Sequence, residues 1–301
     1  MKLSFYLFFI VYTLFFLFYP GNMFYYNLFA YNRELFKEET IAALPKINQI
    51  PVLRSSYPPP ITAEGAYIVD IPSFTPIYEK NAQYHFLPAS ITKIITALVT
   101  LDVFKPEEVI TVKRIVEEGQ TMGLALGERI TVENLLYGIL IHSGNDAAYA
   151  IAESYGYDRF VKLMNEKAKS LNMSNTHFRN PAGLDDFDQY TSPFDMAIAS
   201  RALLEDPLLK KIVAIKEITI ADVDFKNFHR LSNVNKLLGE VQGVGGLKTG
   251  YTENAGENLI SFYKSDKHQF IIVLLKSQDR FKDTEETITW INTNIDYLSV
   301  N

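Results

Sequence analysis

The chain contains no cysteine. Thiol catalysis, cysteine-ligated zinc, iron–sulfur clusters and disulfide scaffolds are therefore all excluded. It also lacks an excess of positive charge, with 29 Lys and Arg against 35 Asp and Glu and a formal net charge of −6. Counterion release on nucleic acid needs a basic face, so no nucleic-acid partner is expected. His85, His142, His177, His229 and His268 have none of the spacings of a metal site and read as loop or surface residues. The run Asp185-Asp186-Phe187-Asp188 lacks the glycine and the twelfth-position glutamate of a calcium loop and reads as a solvated acidic loop. Disorder of the whole chain is excluded too, because 48% of its residues are hydrophobic.

What is present starts with an uncharged run from Leu3 to Asn32 behind a single cation, Lys2. Leu3–Tyr19 is apolar and is broken by Pro20-Gly21-Asn22. It is short against the ~20 residues of a membrane span. Residues 1–32 read as a signal peptide or signal anchor, with the anchor favoured because no small-x-small cleavage site follows. Lys2 inside and the rest of the chain outside obeys the positive-inside tendency, which predicts the extracytoplasmic face of a membrane. Residues 33–60, closing on Tyr57-Pro58-Pro59-Pro60, read as an extended tether, and 61–301 as one folded domain.

Within that domain, Ala66–Ile71 and Thr75–Glu79 read as strands and Pro88–Phe104 as an apolar helix. Helical patterns follow to about Ala214, with Thr131, Asn145 or Asp146, and Ser192 as starting residues. Strands are expected at Glu217–Ala221, Gly246–Tyr251, Asn258–Tyr263 and Gln269–Leu275, and a closing helix at Phe281–Leu298. Strands at both ends around a helical middle predict an α+β, mixed α/β fold. Its antiparallel sheet is drawn from both chain ends and flanked by helices, with a helical insert at about 104–214.

Three short motifs carry the chemistry. Ser90 and Lys93 lie one turn apart on one helix face, among apolar neighbours that would desolvate the lysine and lower its pKa toward that of a general base. Alone the pattern is cheap, since Ser261 and Lys264 repeat it inside an expected strand. Ser143-Gly144-Asn145 falls between two helices, where a hydroxyl and a carboxamide serve either a substrate or a helix cap. Lys248-Thr249-Gly250 enters a strand behind several glycines, so a cation and a hydroxyl can meet a carboxylate while the strand pairs with an extended peptide.

The ordered trio is the motif set of penicillin-binding proteins and serine β-lactamases. With Leu87-Pro88-Ala89-Ser90-Ile91-Thr92-Lys93, Asn180-Pro181-Ala182-Gly183-Leu184 and Gly246-Leu247-Lys248-Thr249-Gly250-Tyr251-Thr252, the chain resembles the low-molecular-mass penicillin-binding proteins, the D-alanyl-D-alanine carboxypeptidases. The resemblance implies a β-lactamase/transpeptidase-like fold and removal of the terminal D-alanine from peptidoglycan stem peptides. It implies Ser90 as the acylated nucleophile and Lys93 as its base. Ser143 would relay a proton and Asn145 would hold the substrate amide. Lys248, Thr249, Gly250 and Thr252 would bind the terminal carboxylate, and the backbone N–H groups of Ser90 and Tyr251 would form the oxyanion hole. It implies no metal or organic cofactor, and β-lactam antibiotics as covalent inhibitors.

A D,D-endopeptidase would use the same residues. A serine β-lactamase of class A would add a Glu-x-x-Leu-Asn element, which is absent. A penicillin sensor that acylates without turnover is the alternative outside catalysis.

Overall fold

The computed structural model describes residues 2–17, 49–54, 57–265 and 268–298. Helix α1 (Lys2–Leu17) is 16 residues long and belongs to the first of two units. No helix among the described residues is long and apolar enough to cross a membrane. The rest of the expected leader, 18–32, and most of the expected tether, 33–48, lie outside the described residues.

The second unit is a mixed α/β fold around a five-stranded antiparallel sheet. Its strands are β2 (Gly65–Asp70), β3 (Pro76–Lys80), β8 (Val244–Thr252), β9 (Gly256–Lys264) and β10 (Gln269–Ser277), in the order β3-β2-β10-β9-β8. The central strand β10 reads Phe-Ile-Ile-Val-Leu-Leu because both of its faces are covered. Ile271, Val273 and Leu275 enter the core shared with the helical layer, and Phe270, Ile272 and Leu274 the core on the opposite face. That second core is closed by Ile288, Trp290 and Ile291 of α8 (Arg280–Asn294).

The helical layer consists of α2 (Lys93–Val103), α3 (Val132–Leu140), α4 (Asn145–Tyr155), α5 (Tyr157–Ser170), α6 (Pro193–Glu205) and α7 (Pro207–Val213). Thr131 caps α3 by accepting from Asn134 N, and Ser192 caps α6 by accepting from Asp195 N, with Pro193 in the first turn. Two small hairpins decorate this layer: β4 (Val109–Thr111) with β5 (Arg129–Thr131), and β6 (Glu217–Ala221) with β7 (Phe228–Ser232).

Three expectations change. The closing helix ends at Asn294, and Ile295–Leu298 turns into β11, which pairs with β1 (Ile50–Leu53). That pairing also puts a strand inside the segment expected to be tether, bringing the start of the folded unit upstream of residue 61. The helix expected from Pro88 opens as a 3₁₀ turn, Ala89–Thr92, and becomes α-helical only at Lys93.

Candidate active site

The 3₁₀ turn is held on several sides. Asn258 on β9 donates its side-chain amide to Leu87 O and Pro88 O, at 3.0 and 3.1 Å. Gly250 of β8 lies so close that a Cβ there would sit 3.1 Å from Ser90 N. Gly183 presses from the far side, where a Cβ would fall 1.8 Å from Ala89 O. Ala89 itself takes a positive φ of 48°, a costly conformation that this packing enforces and that orients the next residue, Ser90.

Lys93 is completely buried at the start of α2. Its Nζ lies 2.9 Å from Ser90 Oγ, 2.7 Å from Asn145 Oδ1 and 2.7 Å from Ala182 O. Burial lowers its pKa to about 7, against a smaller upward pull from Asp146. Two of the three partners can only accept. A neutral amine therefore spends its two N–H groups on Asn145 and Ala182 and turns its lone pair to the Ser90 hydroxyl, which is the geometry of a general base.

Asn145 starts α4 and is anchored from behind. Its backbone N–H donates to Gln120 O and its Nδ2 to Glu118 O, both at 2.7 Å. Ser143 has a φ of 63°, and its Oγ receives Lys248 Nζ at 2.8 Å; the same amine reaches Thr249 O at 2.9 Å. Lys248 is 2% exposed, and burial first, then Lys93 and Arg280, lowers its pKa well below the ordinary lysine value. Strand β8 is the edge of its sheet, so its outer side is open to a further strand. The structure thus gathers Ser90, Lys93, Ser143, Asn145, Lys248, Thr249 and Gly250.

Tyr251 follows Gly250 on the same strand with its side chain exposed. Thr252 is arranged differently from the expectation. Its hydroxyl donates to Asp185 at 2.8 Å and accepts from Ala255 N at 3.0 Å, so it is committed to the β8–β9 turn. Asp185 also takes Asn254 Nδ2 at 3.0 Å, which ties part of the supposedly solvated acidic loop to this end of the sheet.

Sequence reading missed three contributors. Asp146 is buried and accepts from the amides of Met122, Gly123 and Leu124, fixing the loop behind Asn145. Asn180 Oδ1 accepts from the amides of Ala182, Gly183 and Leu184 and so shapes the loop that offers Ala182 O to Lys93. Arg280 donates to Gly250 O at 2.8 Å and steadies β8. The signal for the first two lay in adjacency to the motifs, Asn145-Asp146 and Asn180-Pro181-Ala182-Gly183. Among the described residues no group of His, Asp and Glu side chains gathers where it could hold a metal ion.

The sequence profile of the D-alanyl-D-alanine carboxypeptidases matches residues 53–279. The chain belongs to this family. It is 36% identical over 221 residues to the D-alanyl-D-alanine carboxypeptidase DacF of Bacillus subtilis, covering 70% of this chain and 57% of that protein. To DacC of Escherichia coli it is 32% identical over 254 residues, covering 77% and 62%. The chain thus spans about three-fifths of the length of these curated relatives. Among solved structures, a Streptomyces DD-transpeptidase superposes with a TM-score of 0.74 at 26% identity, over 79% of this chain and 99% of that one. DacD of Francisella tularensis superposes with a TM-score of 0.72 at 28% identity, over 77% and 70%. The fold is accordingly that of the penicillin-binding carboxypeptidases and transpeptidases.

Proposed function

We propose that the chain is a serine-type D-alanyl-D-alanine carboxypeptidase of the cell wall, acting on peptidoglycan stem pentapeptides. The observation that carries this reading is the fully buried Lys93 amine held 2.9 Å from Ser90 Oγ by two further acceptors. Ser90 Oγ attacks the carbonyl of the penultimate D-alanine while its proton passes to Lys93 Nζ. Backbone N–H groups of Ser90 and Tyr251 receive the developing oxyanion. Ser143 delivers a proton to the departing D-alanine amine, and Asn145 holds the amide on the acyl side. Water then cleaves the Ser90 ester.

The terminal carboxylate of the peptide meets Lys248, Thr249 and the backbone at Gly250. An arriving carboxylate opposes the effects that lower the Lys248 pKa and so favours its charged form. Thr252 serves this pocket through the turn it builds with Asp185 rather than by direct contact. β-Lactams, which mimic the acyl-D-alanyl-D-alanine end, acylate Ser90. The substrate lies outside the cytoplasm, so the uncharged N-terminal run is an export segment that keeps the enzyme at the membrane face.

A second reading is supported by the near-complete coverage of the Streptomyces DD-transpeptidase: transfer of the acyl group to an amine instead of water. Incubating a muramyl pentapeptide with the protein and with Ser90→Ala, followed by mass measurement, tests both. The first reading requires loss of one D-alanine with the unsubstituted protein alone. A glycyl amide, lighter than the pentapeptide but heavier than the tetrapeptide, formed on adding glycine with little free tetrapeptide, favours transfer, and release by Ser90→Ala overturns the nucleophile.

A further inference from the structure

His229, read from sequence as a loop or surface residue, is instead 7% exposed on β7. Its Nε2 lies 2.6 Å from Glu128 Oε1, and its Nδ1 lies 3.1 Å from Met122 O. The second Glu128 oxygen already accepts from Ala125 N at 2.9 Å. A carbonyl can only accept, so Nδ1 must carry a proton for its bond to form. The Nε2–Glu128 bond needs another, on the ring or on the carboxyl. The buried pair therefore holds two protons between them, whether as an ion pair or as two neutral groups.

What this pair grips is the loop that backs the active site. Met122 is held through both of its backbone polar groups: its N–H donates to Asp146, and its carbonyl faces His229. Asp146 adjoins Asn145, and the same loop supplies Glu118 O and Gln120 O to Asn145. The contact path thus runs from the β6–β7 hairpin through Met122 to the carboxamide that bonds Lys93.

We propose that His229, protonated on Nδ1 and bonded through Nε2 to Glu128, is a positioning residue that straps the 113–127 loop against Asn145 in the acylation-competent arrangement. This rests on the reading of Ser90, Lys93 and Asn145 given above. The other charged groups around the pair are engaged elsewhere. Arg129 bonds Asp224, Arg230 bonds Glu217, Asp222 takes the amides of Lys226 and Asn227, and Asp146 takes those of the loop. Glu128 is the ionisable side chain that bonds the ring.

Two isosteric variants separate the two bonds. His229→Asn keeps an N–H where Nδ1 stood, toward Met122 O, whereas His229→Gln keeps one where Nε2 stood, toward Glu128. The full-length protein and both variants are compared by amide hydrogen exchange at Met122–Leu124 and by the rate of Ser90 acylation with a fluorescent penicillin. Imidazole nitrogen NMR of the unsubstituted protein reads the proton on Nδ1. The expected result is a protonated Nδ1, with His229→Asn close to the unsubstituted protein. His229→Gln should lose loop protection and about tenfold in acylation rate, while the amides of β9 and β10 stay protected. Equal behaviour of the two variants, or an Nδ1 without a proton, overturns the proposal. Failure of the unsubstituted protein to acylate would instead overturn the functional reading, and the exchange and NMR results would still judge the strap.

Discussion

At the scale of single residues, the decisive quantity is the charge on Lys93. Burial lowers its pKa to about 7 from an ordinary 10.5, so below neutrality the amine is protonated and has no lone pair for Ser90. The acylation rate with a penicillin should therefore rise as pH passes upward through about 7, following the neutral fraction. A rate that stays flat from acid to alkaline pH would contradict Lys93 as the base. The linkage sign is the same for stability: between about 7 and 10.5 the unfolded chain binds the extra proton, so the folded form gains as pH rises through that window. Ser90 and Lys93 were legible in the sequence because their relation is local, three positions on one helical face. Asp146 and His229 were not, because their partners lie 22 to 24 and 101 to 107 positions away. Spacing rules carry no information at that separation. Thr252 shows the converse, a residue beside the motif whose hydroxyl is engaged by Asp185, a partner 67 positions away that spacing could not show.

At the scale of elements, the site is a 3₁₀ turn clamped between a strand and a loop, and glycine decides how closely they approach. Gly183 and Gly123 have nearly the same φ, 85° and 84°. A Cβ at Gly123 meets nothing within 4 Å, whereas at Gly183 it falls on Ala89 O at 1.8 Å. Gly123→Ala should cost only the left-handed conformation, about 1 kcal/mol. Gly183→Ala should cost at least about 2 kcal/mol more and also displace the turn carrying Ser90. Thermal melting and penicillin acylation of the two variants check this, and equal losses in both assays would refute the clamp. The long elements were readable from period and capping; Glu217–Ala221 is a strand with the bounds its pattern predicted. The 3₁₀ turn and the short strands β1, β4, β5 and β11 were not, since three or four residues carry too little periodicity and their pairing is set by distant chain.

At the scale of the whole folded unit, the sheet is assembled from both ends of the chain, as the distribution of strand patterns predicted. The join is made by one carboxylate. Asp283 near the start of α8 is 2% exposed and accepts from Thr62 N, Thr62 Oγ1, Ala63 N and Ser277 Oγ, at 2.6 to 3.0 Å. It therefore fastens the segment entering β2 to the segment leaving β10, across more than 200 positions of sequence. Removing it leaves buried donors without an acceptor, each costing about 1–3 kcal/mol, partly relieved by water. Asp283→Ala should thus lower stability by about 3–5 kcal/mol in urea unfolding, and Asp283→Asn by less, because the amide oxygen still accepts. Ser90 lies in the other core's layer and makes no bond to this join, so the folded fraction of Asp283→Ala should acylate with penicillin at the unsubstituted rate below its unfolding transition. A variant with unchanged urea midpoint would show that the two chain ends hold together without Asp283. A variant that stays folded but loses acylation would show instead that the join governs the site, and that the sheet and the turn carrying Ser90 respond as one body.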